Sequence, residues 1–168
     1  MMAITHACIA TAGMSLILGT ANPVTLCLAI LGSQLPDIDT TTSAIGQICF
    51  PISSWIEDRF PHRSVTHSFL ATVAIALITL PIGYLLGHVQ VAIVLPLSHL
   101  LACFSDTFTK QGVQLFYPNP AWAVSVSNPR RRLNTGGSGE LGVLAGAIAV
   151  LIFGLYLATG GGLTQQVS

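Results

Sequence analysis

Charge is what this chain has least of: Asp, Glu, Lys and Arg make up only 7% of its 168 residues, against roughly 25% in soluble globular domains. That scarcity, with 52% hydrophobic residues and a mean hydropathy of +0.74, excludes a surface made mainly for water. Six basic residues balance six acidic ones. There is therefore no basic field of the kind that nucleic-acid binding needs, and no nucleic-acid partner is expected. Cys8, Cys27, Cys49 and Cys103 show no CxxC spacing, so neither a disulfide framework nor a zinc knuckle is implied and free, mostly buried thiols are expected. No positive n-region precedes the first apolar run, which is expected to remain as a helix rather than be removed as a signal. No internal repeat stands out, and Gly160-Gly161-Gly162 with the residues after it reads as a frayed tail.

What the chain does have is long apolar runs: Ala3–Gly19, Pro23–Leu35, Phe69–Gly87, Val89–Phe104 and Leu141–Thr159. A spanning helix needs about 20 apolar residues. The last three runs approach that length; the first two are shorter and are broken into a hairpin at Asn22-Pro23. They fit either short tilted spans or a re-entrant pair. The expectation is an all-α polytopic membrane helix bundle, one domain over residues 1–168, with about five membrane helices of which the first two are short.

All twelve charged side chains lie outside these runs, and none lies in the short turns at Thr20–Asn22 or around His88. Five crossings would therefore put every Lys and Arg on one face, together with the segments 37–66 and 106–140. Basic residues near membrane ends are retained in the cytoplasm, so that face reads as cytoplasmic in a multi-pass membrane protein.

The same face collects groups that charge retention does not explain. Asp37 and Asp39 follow the second helix, where Pro36 must end it. Both lie at a helix C-terminus, whose dipole raises the cost of a second negative charge unless a cation is near; Asp39 could alternatively cap a following helix. Before the third helix, His62 and His67 flank Arg63. Ser64 or Thr66 could cap that helix, which would put His67 in its first turn and favour the neutral, metal-binding imidazole. The fourth helix carries His99 in its apolar run and Asp106 at its end, seven residues on and so on nearly the same face, about 10 Å away along the axis. An ionisable group inside a membrane helix is a functional candidate by default. His6 starts the first helix beside the same mouth. Imidazole and carboxylate ligands suit Zn, Mn or Fe, and ligand type alone does not choose among them.

Taken in order, His6, LPDID at 35–39, HRSVTHS at 62–68, the histidine-bearing helix ending in Asp106, GVQLFYP at 112–118 and TGGSGE at 135–140 resemble the YdjM-like family of inner-membrane metal-dependent hydrolases. That family is itself distantly similar to zinc-dependent phospholipase C. The resemblance covers most of the chain and implies an all-helical fold, a divalent metal, and His6, Asp37, Asp39, His62, His67 and Asp106 as site residues. Other members place a histidine four residues before the aspartate, where this chain has Ala102. His99 is then either a displaced ligand or the sign of a lost one, and Cys103 could substitute only as a thiolate.

A metal at this mouth would polarise an ester or phosphoester and acidify water, with Asp37 or Asp39 able to orient it. Arg63 and the Arg130-Arg131-Arg132 cluster are placed to meet anions, either a substrate phosphate or lipid headgroups. Glu140 is expected to cap or salt-bridge the last helix rather than bind metal. The leading reading is a membrane-bound metal-dependent hydrolase acting on an ester or phosphoester, including lipid. The alternatives are a non-enzymatic metal carrier or adaptor and an inactive homologue; a carrier would want ligands at mid-membrane, and only His99 lies deep.

Overall fold

Asn22 and Pro23 make the first hairpin by local chemistry. The Asn22 side chain accepts the Val24 N–H at 2.9 Å, capping helix α2 (Pro23–Gln34), and Pro23 fills the first helical position, where no N–H is needed. The helix before it is α1 (Ala3–Ile17). Pro36 then turns the chain into a 3-10 segment, Leu35–Asp39. Two short helices follow, α3 (Ala44–Ile48), capped by Ser43, and α4 (Phe50–Glu57). The chain continues through α5 (Phe69–Leu85), α6 (Val89–Ala92), α7 (Val94–Asp106) and α8 (Ser138–Ala158). This computed structural model describes residues 1–160; the tail beyond Gly160 lies outside the described residues. Among those described, the protein is an all-helical bundle without a strand, its only β contacts being the isolated bridges Thr109–Leu133 and Val113–Ala123.

The five apolar runs are all helical, but their lengths differ from what five full spans require. Val89–Asp106, nearly continuous through α6 and α7, and α8 are long and apolar enough to cross a membrane. Helices α1 and α5, with 15 and 17 residues, reach only about 23–26 Å at 1.5 Å per residue, short of a hydrocarbon core of about 30 Å.

In the bundle, α1 packs against α8, α2 and α7, while α7 also meets α2 and α5. The polarity of the packing is inverted relative to a soluble protein. Inward-facing positions are small or hydroxylated: Ala10, Ala29, Thr5, Ser15, Thr25, Ser33 and Ser98 are all buried. Outward-facing positions are large and apolar, among them Leu77, Ile78, Leu85, Ile152 and Phe153. Close backbone approach is the feature that packs helices inside lipid, where burying apolar surface gains nothing. Gly32 is one such close approach between helices: a Cβ there would lie 2.7 Å from the Leu95 carbonyl oxygen of α7 and 2.9 Å from Ser98 Cβ.

Two local expectations are corrected. The third apolar run begins at Ser68, whose side chain accepts the Ala71 N–H at 3.2 Å, and not at Ser64 or Thr66. His67 therefore lies ahead of α5, in a 3-10 turn, Val65–His67. Nor does Asp39 cap a helix, since Ser43 does so for α3.

The long segment between α7 and α8 folds back over the end of the bundle. Its Leu115 carbonyl accepts the Phe69 N–H at 2.9 Å, and Gln114 N–H donates to the Arg63 carbonyl at 2.9 Å. Val113 and Leu115 pack with Cys103 in a small core of their own. This is the work of the GVQLF run: it pins the start of α5 and the HRSVTHS segment in place.

Gly32→Val should destabilise the protein by about 1–3 kcal/mol through overpacking. Gly142→Ala, where a Cβ would meet nothing within 4 Å, should be neutral or stabilising by up to about 1 kcal/mol. Thermal unfolding of both variants in detergent checks the contrast.

Candidate metal centre

Three buried atoms face one another at the end of the bundle without hydrogen-bond partners: His6 Nε2, His67 Nε2 and Asp106 Oδ2. Asp106 Oδ2 is 3.5 Å from His6 Nε2 and 3.4 Å from His67 Nε2, and Asp37 Oδ1 is 3.7 Å from the latter. These separations are too long for hydrogen bonds. Four separate parts of the chain supply one residue each: α1 gives His6, the 3-10 turns before α3 and α5 give Asp37 and His67, and the last residue of α7 gives Asp106.

Neighbouring hydroxyls engage the other ring nitrogen of each imidazole. Ser105 Oγ lies 2.8 Å from the Ala102 carbonyl and 3.1 Å from His6 Nδ1, and where it donates to the carbonyl it accepts from the ring. His6 is then protonated on Nδ1, and Nε2 points at Asp106. The same logic holds for His67: Thr66 Oγ1 donates to Asp39 Oδ2 at 2.8 Å and accepts from His67 Nδ1 at 3.2 Å. With Nδ1 engaged in this way, both imidazoles turn Nε2 toward a carboxylate oxygen, an arrangement that needs a cation between them, whether a proton, as the raised pKa of His67 shows, or a metal ion.

Asp39 has no such vacancy. One oxygen meets His62 Nδ1 at 2.8 Å, and the other accepts Arg63 N–H at 2.9 Å as well as Thr66. Burial alone would raise its pKa, but the hydrogen bonds and charges of His62 and His67 hold the carboxyl well below its ordinary range. For His67, burial disfavours the charged ring, yet the carboxylates of Asp106, Asp37 and Asp39 push its pKa up to about 10. The pocket demands positive charge.

The other expected site residues take different places. His62 is largely exposed, sharing its Nδ1 with Thr40 Oγ1 at 2.9 Å and Asp39. His99 is spoken for on both sides: Nε2 donates to the Thr66 carbonyl at 2.9 Å and Nδ1 accepts from Thr72 Oγ1 at 2.8 Å. It holds the turn that carries His67 and lies outside the four-atom set, with Cys103 Sγ 3.7 Å behind it. Arg63 is buried, with its guanidinium 2.8 Å from Thr109 Oγ1 and 3.8 Å from Asp106 Oδ1, and its backbone has φ 65°. Arg130 and Arg131 are exposed, and Arg132 is bound to the Val126 and Ser127 carbonyls. Glu140 accepts Met2 N–H at 2.5 Å and Gly136 N–H at 2.7 Å, tying α8 to the chain start. The Met1 amine, 2.5 Å from Asp106 Oδ1, and Ser105 were not singled out in the sequence; no local signal marks a hydroxyl 99 positions from the histidine it orients.

Do these residues fit a metal? Two ligands about 2.1 Å from one ion at a tetrahedral angle lie about 3.4 Å apart, close to the separations around Asp106 Oδ2. Hydrogen-bonding the far nitrogen of each ligand histidine is how metal sites fix the imidazole. Among the described residues, no group of three or more His, Cys, Asp or Glu is placed to hold a metal ion as it stands. The fit rests instead on the facing Nε2 and carboxylate atoms and on the hydrogen-bonded Nδ1 atoms behind them.

Asp39→Ala should destabilise the protein by about 2–4 kcal/mol, because it strips partners from buried donors, whereas His62→Ala should cost less than about 1 kcal/mol. The sign with pH follows from the lowered carboxyl: its stabilisation is present above the ordinary value of 3.8 and is lost as the pH falls below it. Denaturant unfolding between pH 3 and pH 7 should show that dependence in the parent protein and lose part of it in Asp39→Ala.

The chain is similar to known proteins over most of its length. The family described as YdjM inner membrane protein matches residues 1–162. The curated Inner membrane protein YdjM of Escherichia coli (strain K12) is 39% identical over 95 residues, 54% of this chain and 47% of that protein. The protein of the same name from Shigella flexneri matches with the same figures. The chain thus aligns with about half the length of the curated relatives it matches. No solved structure matches. With a family match running from before His6 to beyond the end of α8, the chain belongs to the YdjM inner membrane protein family.

Proposed function

We propose that this protein is a multi-pass, membrane-bound, metal-dependent hydrolase acting on an ester or phosphoester at the cytoplasmic face. One observation carries the reading: the Nε2 atoms of two imidazoles and a carboxylate oxygen are turned on one another at the buried end of the bundle, 3.4 and 3.5 Å apart and without hydrogen-bond partners. His6, His67, Asp106 and Asp37 would hold the ion. Nitrogen and carboxylate donors suit Zn first, with Mn or Fe also compatible. Bound there, a divalent ion supplies Lewis acidity toward a phosphoryl or acyl oxygen and makes water a better nucleophile at neutral pH.

The chain's own residues divide the remaining work. Asp39, saturated by His62, Arg63 and Thr66, fixes the position of His67 rather than handling substrate. Asp37 is partly open to solvent, its side chain 20% exposed; with one oxygen toward the ion, its second oxygen is the one placed to orient water or take its proton. His99 keeps the carbonyl before His67 in place. The cytoplasmic orientation follows from the basic residues gathered on this face, and membrane lipid is the surrounding medium and a candidate source of substrate. Ligands crowded at one end, rather than at mid-membrane, favour a hydrolase over an ion carrier.

Protein purified in detergent should retain about one divalent ion per chain at this site, expected from a structural set of four protein ligands. His67→Ala and Asp37→Ala should each lower that content severalfold, as measured by inductively coupled plasma mass spectrometry, whereas Cys103→Ala should not. Unchanged metal in both site variants would refute the centre. Metal retained without turnover on phospholipid and generic phosphoester panels would favour an adaptor or an inactive homologue.

A further inference from the structure

Beside the candidate centre, on the far side of Asp106, is a second pocket that the metal chemistry does not use. It is a recess of about 350 Å³ with Arg63 on one wall and residues of two chain segments, 109–111 and 133–135, on the others. Backbone contacts make it a built site: Thr109 pairs with Leu133, Lys110 N–H donates to the Leu133 carbonyl at 3.1 Å, and Thr109 Oγ1 donates to the Asp106 carbonyl at 2.7 Å. Arg63 is only 7% exposed. Of the five N–H donors of a guanidinium, one goes to Thr109, and Nε has no partner at all.

The charges around this recess are lopsided. Lys110 is exposed and forms no ion pair among the described residues, and it shares a neighbouring recess with Arg130 and Arg132. The nearby carboxylates are already engaged: Asp106 by the Met1 amine, and Glu140 by two backbone N–H groups. Gln111, Asn134 and Thr135 add neutral donors along the wall. A buried guanidinium with unused donors, an unpaired ammonium and a ring of amides and hydroxyls together fit a tetrahedral oxyanion.

We infer that this recess binds the phosphoryl group of a phosphoester, held by Arg63 and Lys110. For what becomes of that phosphoryl group, the inference rests on the hydrolase reading; the binding itself does not. Leu133 also borders an apolar cavity of about 410 Å³ walled by Ile9, Leu101, Phe104, Phe108 and Val143, with Arg131 on its lining. An ester carrying an acyl chain could place its chain there while its phosphate meets Lys110.

The test uses the full chain in a maltoside detergent free of phosphate, with inorganic phosphate as the probe and calorimetry as the readout. Metal content is measured on the same samples. Lys110→Gln, on an exposed side chain, should weaken phosphate binding about tenfold with metal content unchanged. Arg63→Gln should weaken it further, and Lys110→Arg should restore it. Added phosphatidic acid should compete if the phosphoryl group comes from lipid; binding of phosphate indifferent to that lipid assigns the site to a soluble phosphoester. Absence of phosphate binding in the parent protein, or equal binding in Lys110→Gln, overturns the inference. Phosphate bound by a parent protein that holds no metal would overturn the hydrolase reading alone.

Discussion

The Asp106 carboxylate joins more of this molecule than any other group. It ends α7, takes the Met1 amine on one oxygen and faces Arg63 from the same side, and turns its second oxygen to His6 and His67. Burying an ion in a bundle with so little charge is costly unless several partners share it. Placing those partners fixes the architecture: α1 must bring its start to the end of α7, and the turn before α5 must close over both. The helix packing, with small residues at the α1, α2 and α7 contacts, is what allows such an approach.

Around that carboxylate lies a layer of hydroxyls that decides direction rather than strength. Ser105 and Thr66 each pass their proton onward, to a carbonyl and to Asp39, and so become acceptors for a histidine. Without them either imidazole could turn its ring, and the inward Nε2 atoms would be lost. His99 acts one step further out, by gripping the carbonyl of Thr66. The polar interior is therefore ordered in shells, and each shell fixes the orientation of the one inside it.

Much of this was legible in the sequence because it depends on short-range rules. Apolar run length gave the five helical segments, Asn22-Pro23 the hairpin and Pro36 the end of α2. The gathering of His6, Asp37, His67 and Asp106 at one end was expected from the alternation of short turns and long polar segments, and the four residues lie together there. Other features needed contacts that no local rule contains. Ser64, Thr66 and Ser68 are equivalent caps by residue type; Ser68 wins because Leu115, 46 positions away, accepts the Phe69 N–H. His99 looked like a ligand because intramembrane ionisable groups are costly, yet Thr66 and Thr72 meet that cost with two hydrogen bonds. Arg63 read as a cation placed to meet anions, and its burial beneath the fold-back of the segment between α7 and α8 is a long-range feature.

Arg63 is also the one non-glycine residue with positive φ among those described. A residue with a Cβ sits there at a cost of order 1 kcal/mol, and glycine would adopt the same backbone freely. Selection for folding alone would favour glycine between His62 and Ser64. An arginine in that conformation marks a point where the molecule gives up local stability to keep a guanidinium, so variants chosen only for heat resistance should drift away from arginine there first.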